Sequence, residues 1–312
     1  MTISSQDLNT GEAETEPNNF INDNGSLKYE MFSDIVKIGN DQIPNSPFFI
    51  DFTSNYDHNL EILRGMITTQ EKSIRGLALT EVIIMENPSD VIAWWYRTEI
   101  LKTIEFDTIK ELRFIDKVME QGLKSYQAWQ HRQWTITKMA SPPDDLSYLF
   151  DRINEDPRNF HAWSYSIWLA DFCKLQKTIL DMTTFFIRRE KKNASAWNAR
   201  YTILTQMNDD FSQEIQFVFN FIGNDGGNES CCNYVRGIVK SRPELLQNCL
   251  EKVEEFIQKN TKDRSVYALY LHLLELSGNK EKRTEICKKL CVLDSLRKNY
   301  WTSVMNGDDR FI

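Results

Sequence analysis

Val91-Ile92-Ala93-Trp94-Trp95-Tyr96-Arg97 has three close echoes along the chain: Tyr126-Gln127-Ala128-Trp129-Gln130-His131-Arg132, Phe160-His161-Ala162-Trp163-Ser164-Tyr165-Ser166 and Ala194-Ser195-Ala196-Trp197-Asn198-Ala199-Arg200. Their tryptophans Trp94, Trp129, Trp163 and Trp197 are 35, 34 and 34 residues apart. A fifth copy, Glu229-Ser230-Cys231-Cys232-Asn233-Tyr234-Val235-Arg236, follows 35 residues after Trp197, with Cys232 at the tryptophan position. A fixed period of this length marks stacked supersecondary units.

The segments between the copies say what each unit is. Over 109–119 the apolar residues Ile109, Leu112, Ile115, Val118 and Met119 recur at the spacing of one helical face. In the second Trp segment, Trp129, Ile136 and Met139 lie near one face, with Trp134 beside it. Short breakers separate the helices at Glu86–Asp90, Glu155–Asn159 and Lys191–Ser195, supplying the Asn, Asp, Ser and Pro that stop one helix and cap the next. One unit is therefore a helical hairpin of about 34 residues. About six to seven of them predict an all-α fold: a right-handed superhelix, or α-α solenoid, of tetratricopeptide-like hairpins. A Trp-free sixth hairpin is expected over 243–260 and 264–276. The tryptophans read as wedges between hairpins, since large buried rings dominate core energetics. Arg97, Arg132 and Arg200, with Arg236 in the fifth copy, read as ties to carbonyls or carboxylates of a neighbouring hairpin. Ser166 and Cys232 depart from the pattern, and they predict a lost tie and a lost wedge.

Composition agrees with helices. Gly 12 and Pro 8 in 312 residues leave too little turn chemistry for a strand-dense protein, and eight tryptophans are too many for a disordered one. A net charge of -8 argues against a nucleic-acid or anionic-membrane binder driven by bulk charge. No apolar run approaches the roughly 20 residues of a membrane span. The start of the chain lacks a secretory pattern. Six cysteines without a CxxC pair read as reduced thiols, which points to a cytoplasmic protein. Residues 1–45 are expected to form a disordered acidic and polar tail, and residues 46–312 a single domain.

The motifs carry a resemblance. The Trp repeats, the segment Glu71–Thr80, Asn159-Phe160-His161-Ala162-Trp163, Asn228–Gly237 and Cys287–Trp301 together resemble the α subunits of heterodimeric protein prenyltransferases, over about residues 50–305. The fifth motif and the Arg297–Trp301 ending are more similar to the branch that farnesylates or geranylgeranylates C-terminal CaaX cysteines. Arg158–His161 leans toward the Rab geranylgeranyltransferase branch. A non-catalytic tetratricopeptide-like scaffold is the rival reading from another class.

The resemblance implies an obligate partner, the β subunit, together with isoprenoid diphosphate and CaaX proteins as substrates. It implies zinc on the β subunit, and magnesium if the enzyme is a farnesyltransferase. The four histidines are scattered, and no Cys/His/Asp cluster in this chain has metal spacing. Helix N-termini favour phosphate, and Lys124 precedes the second Trp helix. By resemblance, Lys124 is the catalytic residue that reaches the diphosphate, and Tyr126 and His161 line the same pocket. Phe160 stands where the family often has tyrosine, so a hydroxyl contact is lost there.

Overall fold

A computed structural model describes residues 16–39, 53–122, 124–139, 145–209, 211–222, 228–259 and 262–307. Among them there is no strand, only one isolated bridge between Ile21 and Leu27. The chain divides into two compact units, Met1–Asp144 and Asp145–Ile312, where one domain was expected. The first holds α1 (Ser54–Thr68), α2 (Ile74–Glu86), α3 (Val91–Leu101), α4 (Thr108–Gln121) and α5 (Tyr126–Thr137). The second holds α6 (Asp145–Glu155), α7 (Phe160–Phe172), α8 (Gln176–Arg189), α9 (Ala194–Gln206) and α10 (Ser212–Phe219). It continues with α11 (Glu229–Ser241), α12 (Leu246–Gln258), α13 (Arg264–Ser277), α14 (Lys280–Leu293) and α15 (Lys298–Met305). The Trp helices are α3, α5, α7 and α9, and α11 is the fifth copy. The sixth hairpin is α12 and α13.

Each Trp helix starts in the same way. Asp90, Ser125, Asn159, Asn193 and Asn228 are the N-caps. Each side chain accepts from the backbone N–H three residues on, that of Ala93, Ala128, Ala162, Ala196 or Cys231. Those five small residues are fully buried, which lets the helix start sit close to its neighbours.

The connecting loops then lock the hairpins together. Trp94 Nε1 donates to Pro88 O at 2.9 Å, and Ser125 Oγ from the next Trp helix donates to the same oxygen at 2.7 Å. In the second unit Pro157 O receives Trp163 Nε1 and Asn193 Nδ2, at 2.9 and 2.6 Å. Lys191 O receives Trp197 Nε1 and Asn228 Nδ2, both at 2.9 Å. One loop carbonyl thus uses both lone pairs, one on its own hairpin and one on the next.

The wedges are as expected. Trp94, Trp129, Trp163 and Trp197 are all buried. Trp94 packs on Phe114 and His131, and Trp197 on Phe217 and Tyr234, so each ring reaches the hairpin that follows. In α4, Leu112, Ile115, Val118 and Met119 are buried, whereas Ile109 is exposed: it lies in the first turn, before the face is covered.

The arginine ties take a repeated form. Arg97 donates from Nε and Nη2 to both oxygens of Glu111 at 2.7 Å, from Nη1 to Leu77 O, and lies over the Phe114 ring. Arg200 repeats this with Glu214, Leu180 O and Phe217. Each bridge joins the helix before the arginine to the helix after it. A second group completes each carboxylate: His131 Nε2 on Glu111 at 2.7 Å, and Tyr234 Oη donating to Glu214 at 2.8 Å. Arg132 instead meets Asp116. Arg236 corrects the expectation: it sits one residue beyond the arginine position, which buried Val235 fills, and its Nη1 bonds only Asn233 of its own helix. Ser166 turns its hydroxyl back to Trp163 O, and fully buried Ile179 stands where Glu111 and Glu214 stand in the other copies, so the arginine and its carboxylate are both missing there.

The expected tail is corrected as far as it is described. Residues 16–39 carry two 3-10 turns, Pro17–Phe20 and Tyr29–Phe32, and bury Phe20, Leu27 and Phe32. Arg75 clamps this segment through Asp34 and Met31 O. Val36 O comes so close to Gly65 that an added Cβ there would lie 2.3 Å from it. Residues 1–15 and 40–45 of the expected tail lie outside the described residues.

Glu111 allows a pH test. Burial pushes its carboxyl upward, but Arg97 and His131 override this and hold it down to about 2. A carboxylate whose folded pKa lies below its unfolded value of about 4.3 adds stability that is complete above that value and lost as the pH falls toward 2. Glu111→Gln leaves Arg97 buried without its charge partner and is expected to cost about 3 kcal/mol at neutral pH. In thermal unfolding, the gap between variant and parent should be constant from pH 6 to 8 and narrow steadily below about pH 5. Ser125→Ala removes both a cap and an inter-hairpin bond, and should cost ~2 kcal/mol in denaturant unfolding, more than a cap alone.

Candidate functional site

The N-terminal ends of the Trp helices are the exposed part of an otherwise buried motif. Val91, Ile92, Trp95 and Tyr126 in the first unit, and Phe160 in the second, are each at least half exposed. These apolar side chains sit one to two turns from fully buried alanines and tryptophans of the same helices. Aromatic and β-branched groups are thus presented to solvent at these helix starts.

Lys124 is exposed and directly precedes the α5 cap Ser125. Its position is set by Ser125, whose hydroxyl is held between Ala128 N and Pro88 O. Tyr126 is the first residue of α5, and its hydroxyl accepts from Gln130 Nε2 one turn on. Lys124 and Tyr126 therefore flank one buried, doubly bonded serine. They are offered together at a helix end whose first N–H groups and dipole favour an anion. His161 lies in the second unit, half-buried in the first turn of α7. Its backbone N–H donates to the cap Asn159 and its ring lies against Phe160, with centroids 3.8 Å apart. It occupies the same local place in its repeat as Gln127 does one repeat earlier, next to the first helical residue.

Sequence reasoning singled out Lys124 and missed Ser125, the residue that fixes it. The signal was present: a cap residue recurs before every Trp helix. Its second bond, to a loop 37 residues back, is not visible in a linear pattern.

His131 is buried beside Glu111 and Trp94. Burial pushes its pKa down despite Glu111, so its ring is neutral at pH 7 and donates Nε2–H to the carboxylate. No group of three His, Cys, Asp or Glu among the described residues could hold a metal. The six cysteines are unpaired with one another, and burial pushes the Cys232 and Cys249 thiols up to about 12, the opposite of an activated nucleophile. Among the described residues no helix is long and apolar enough to cross a membrane.

Comparison with known proteins agrees with this geometry. A family model described as the protein prenyltransferase alpha subunit repeat matches residues 109–139 and 142–172, which take in α4 with α5 and α6 with α7. The protein farnesyltransferase/geranylgeranyltransferase type-1 subunit alpha of Dictyostelium discoideum is 29% identical over 302 residues, covering 89% of this chain and 92% of that one. The Schizosaccharomyces pombe protein of the same name is 32% identical over 110 residues, 35% of this chain and 37% of its own length. The geranylgeranyl transferase type-2 subunit alpha of Saccharomyces cerevisiae is 24% identical, over 72% of this chain and 75% of that one. Among solved structures, Candida albicans protein geranylgeranyltransferase-I complexed with GGPP matches with a TM-score of 0.76 and 23% identity, over 88% of this chain and 97% of that one. That likeness shows the fold, a helical solenoid. The chain thus carries the protein prenyltransferase alpha subunit repeat over 109–139 and 142–172, and it is similar over most of its length to a farnesyltransferase/geranylgeranyltransferase type-1 subunit alpha.

Proposed function

We propose that this chain is the α subunit of a heterodimeric CaaX protein prenyltransferase, which moves a farnesyl or geranylgeranyl group from its diphosphate to a C-terminal cysteine. The observation that carries the reading is the similarity to a type-1 α subunit over 92% of that protein's length. Relatives named as type-2 α subunits match at 24% and 26% identity over less of their length, which makes the Rab-type reading the weaker one. The exposed apolar helix starts supply a docking face for a β subunit, as an obligate heterodimer requires.

The chemistry needs a thiolate, a slot for the isoprenoid and positive charge at the departing diphosphate. Lys124 serves the third. Its flexible stem delivers a point charge to oxygens that gain negative charge as the C–O bond breaks, while Ser125 keeps its backbone in place. Tyr126, beside it at the start of α5, is the second candidate for contact with the diphosphate, and His161 at the start of α7 is the third. A zinc ion would lower the pKa of the acceptor thiol. In this reading zinc, and magnesium if farnesyl is the donor, belong to sites completed by the partner. The setting of such an enzyme is the cytoplasm.

Lys124→Ala is expected to leave heterodimer assembly unchanged and to slow single-turnover transfer by the order of 10²-fold. Transfer at the parent rate would remove Lys124 from the mechanism. Ile92→Asp with Trp95→Ala changes exposed groups only, so the chain's own unfolding should hold while co-purification with the β subunit falls. A variant that still binds the β subunit at full strength would move the docking face elsewhere. A chain that is stable and peptide-binding without any β subunit would favour the scaffold.

A further inference from the structure

The groove between successive Trp helices occurs twice in the second unit, with opposite chemistry. Between α9 and α11 its walls include Ala194, Trp197, Tyr201 and Gly237, and Glu229 is its one charged lining residue. One repeat on, between α11 and α13 and closed by α15, a cavity of about 430 Å³ is lined by Arg236, Arg264 and Arg297. Arg236 replaces the aromatic Tyr201 and Arg264 replaces Glu229 of the preceding groove, at equivalent helix positions.

The arginines are placed rather than merely present. Asp294, buried at the base, holds Arg264 at 3.4 Å and Arg297 at 3.7 Å, and is itself fixed by Trp301 Nε1 at 3.1 Å. That carboxylate is committed to orienting the wall. Two buried polar atoms are left without a hydrogen-bond partner: Arg236 Nε and the hydroxyl of Ser265, a residue only 5% exposed. Orphaned donors of this kind are destabilising unless something meets them. Glu229 also lines the cavity, so three guanidinium groups face two carboxylates and the balance is positive. Cys232 at the rim is small and buried where the other repeats carry a tryptophan.

The geometry points to a binding site for a phosphate group in this cavity, contacted by Arg236 Nε and Ser265 Oγ and flanked by Arg264 and Arg297. A tetrahedral oxyanion with several acceptor oxygens suits planar guanidinium forks and a hydroxyl converging from three helices. The site lies wholly in the second unit and does not depend on the role proposed for Lys124.

Hydrogen exchange on the full-length chain, co-purified with its partner, tests it with inorganic phosphate as the probe. At phosphate tenfold above its dissociation constant, exchange in peptides covering residues 262–270 and 292–303 should slow by up to about tenfold. Arg236→Gln should abolish this protection, and Ser265→Ala, which removes only an unpaired hydroxyl, should weaken it without loss of stability. Peptides around residues 118–130 report the Lys124 region separately. No protection at 262–270 and 292–303 up to the highest phosphate concentration the complex tolerates, or protection that survives both substitutions, overturns the assignment. Protection by a phosphomonoester at concentrations where inorganic phosphate has no effect would place the phosphate on an organic ligand.

Discussion

The structure depends on one carbonyl per loop. Pro88 O, Pro157 O and Lys191 O each accept a tryptophan indole from their own hairpin and a cap side chain from the next. The cap simultaneously accepts from the first turn of its own helix. A single short polar side chain thus starts a helix and sets the distance to the preceding hairpin. Ser and Asn can do this because each carries an acceptor and a donor close to the backbone, whereas Asp90 only accepts and takes Tyr56 Oη as its second partner. Each cap returns to a loop oxygen 36 or 37 residues earlier, about one repeat period back.

The arginine bridges act on the other side of the same helices. Arg97 with Glu111 and Arg200 with Glu214 are buried, bidentate and backed by an aromatic ring, so they are specific as well as strong. Where Arg is replaced by Ser166, the carboxylate position holds buried Ile179. Losing both partners leaves no buried charge behind and is far milder than losing one. The departure that looked like a weakened tie is a self-consistent apolar substitution. Cys232 is different: the lost ring borders a cavity whose walls have become basic.

Much of the candidate site was legible because caps, periodic apolar faces and a recurring tryptophan are local. Lys124 and Tyr126 stand out as the residues around a cap at an exposed helix start. Ser125 was not legible, because its decisive bond runs to Pro88. Nor were the residues around Phe20, Leu27 and Phe32: in a polar, asparagine-rich stretch, three buried side chains make no periodic signal. The misplacement of Arg236 has the same origin. A one-residue offset in the fifth copy is trivial in a linear pattern and turns a helical side chain by about 100°.

The sequence by itself determined the helical hairpins, their period, the wedge role of the tryptophans and the existence of arginine ties. All of these follow from spacing along a single helix and from residue chemistry. Only the tertiary structure decided which carboxylate each arginine meets, which loop oxygen each cap reaches, where the N-terminal segment packs and which groove is basic. Those outcomes depend on groups 14 to 44 residues apart meeting at hydrogen-bond distance, and that distance is set by the packing of whole helices.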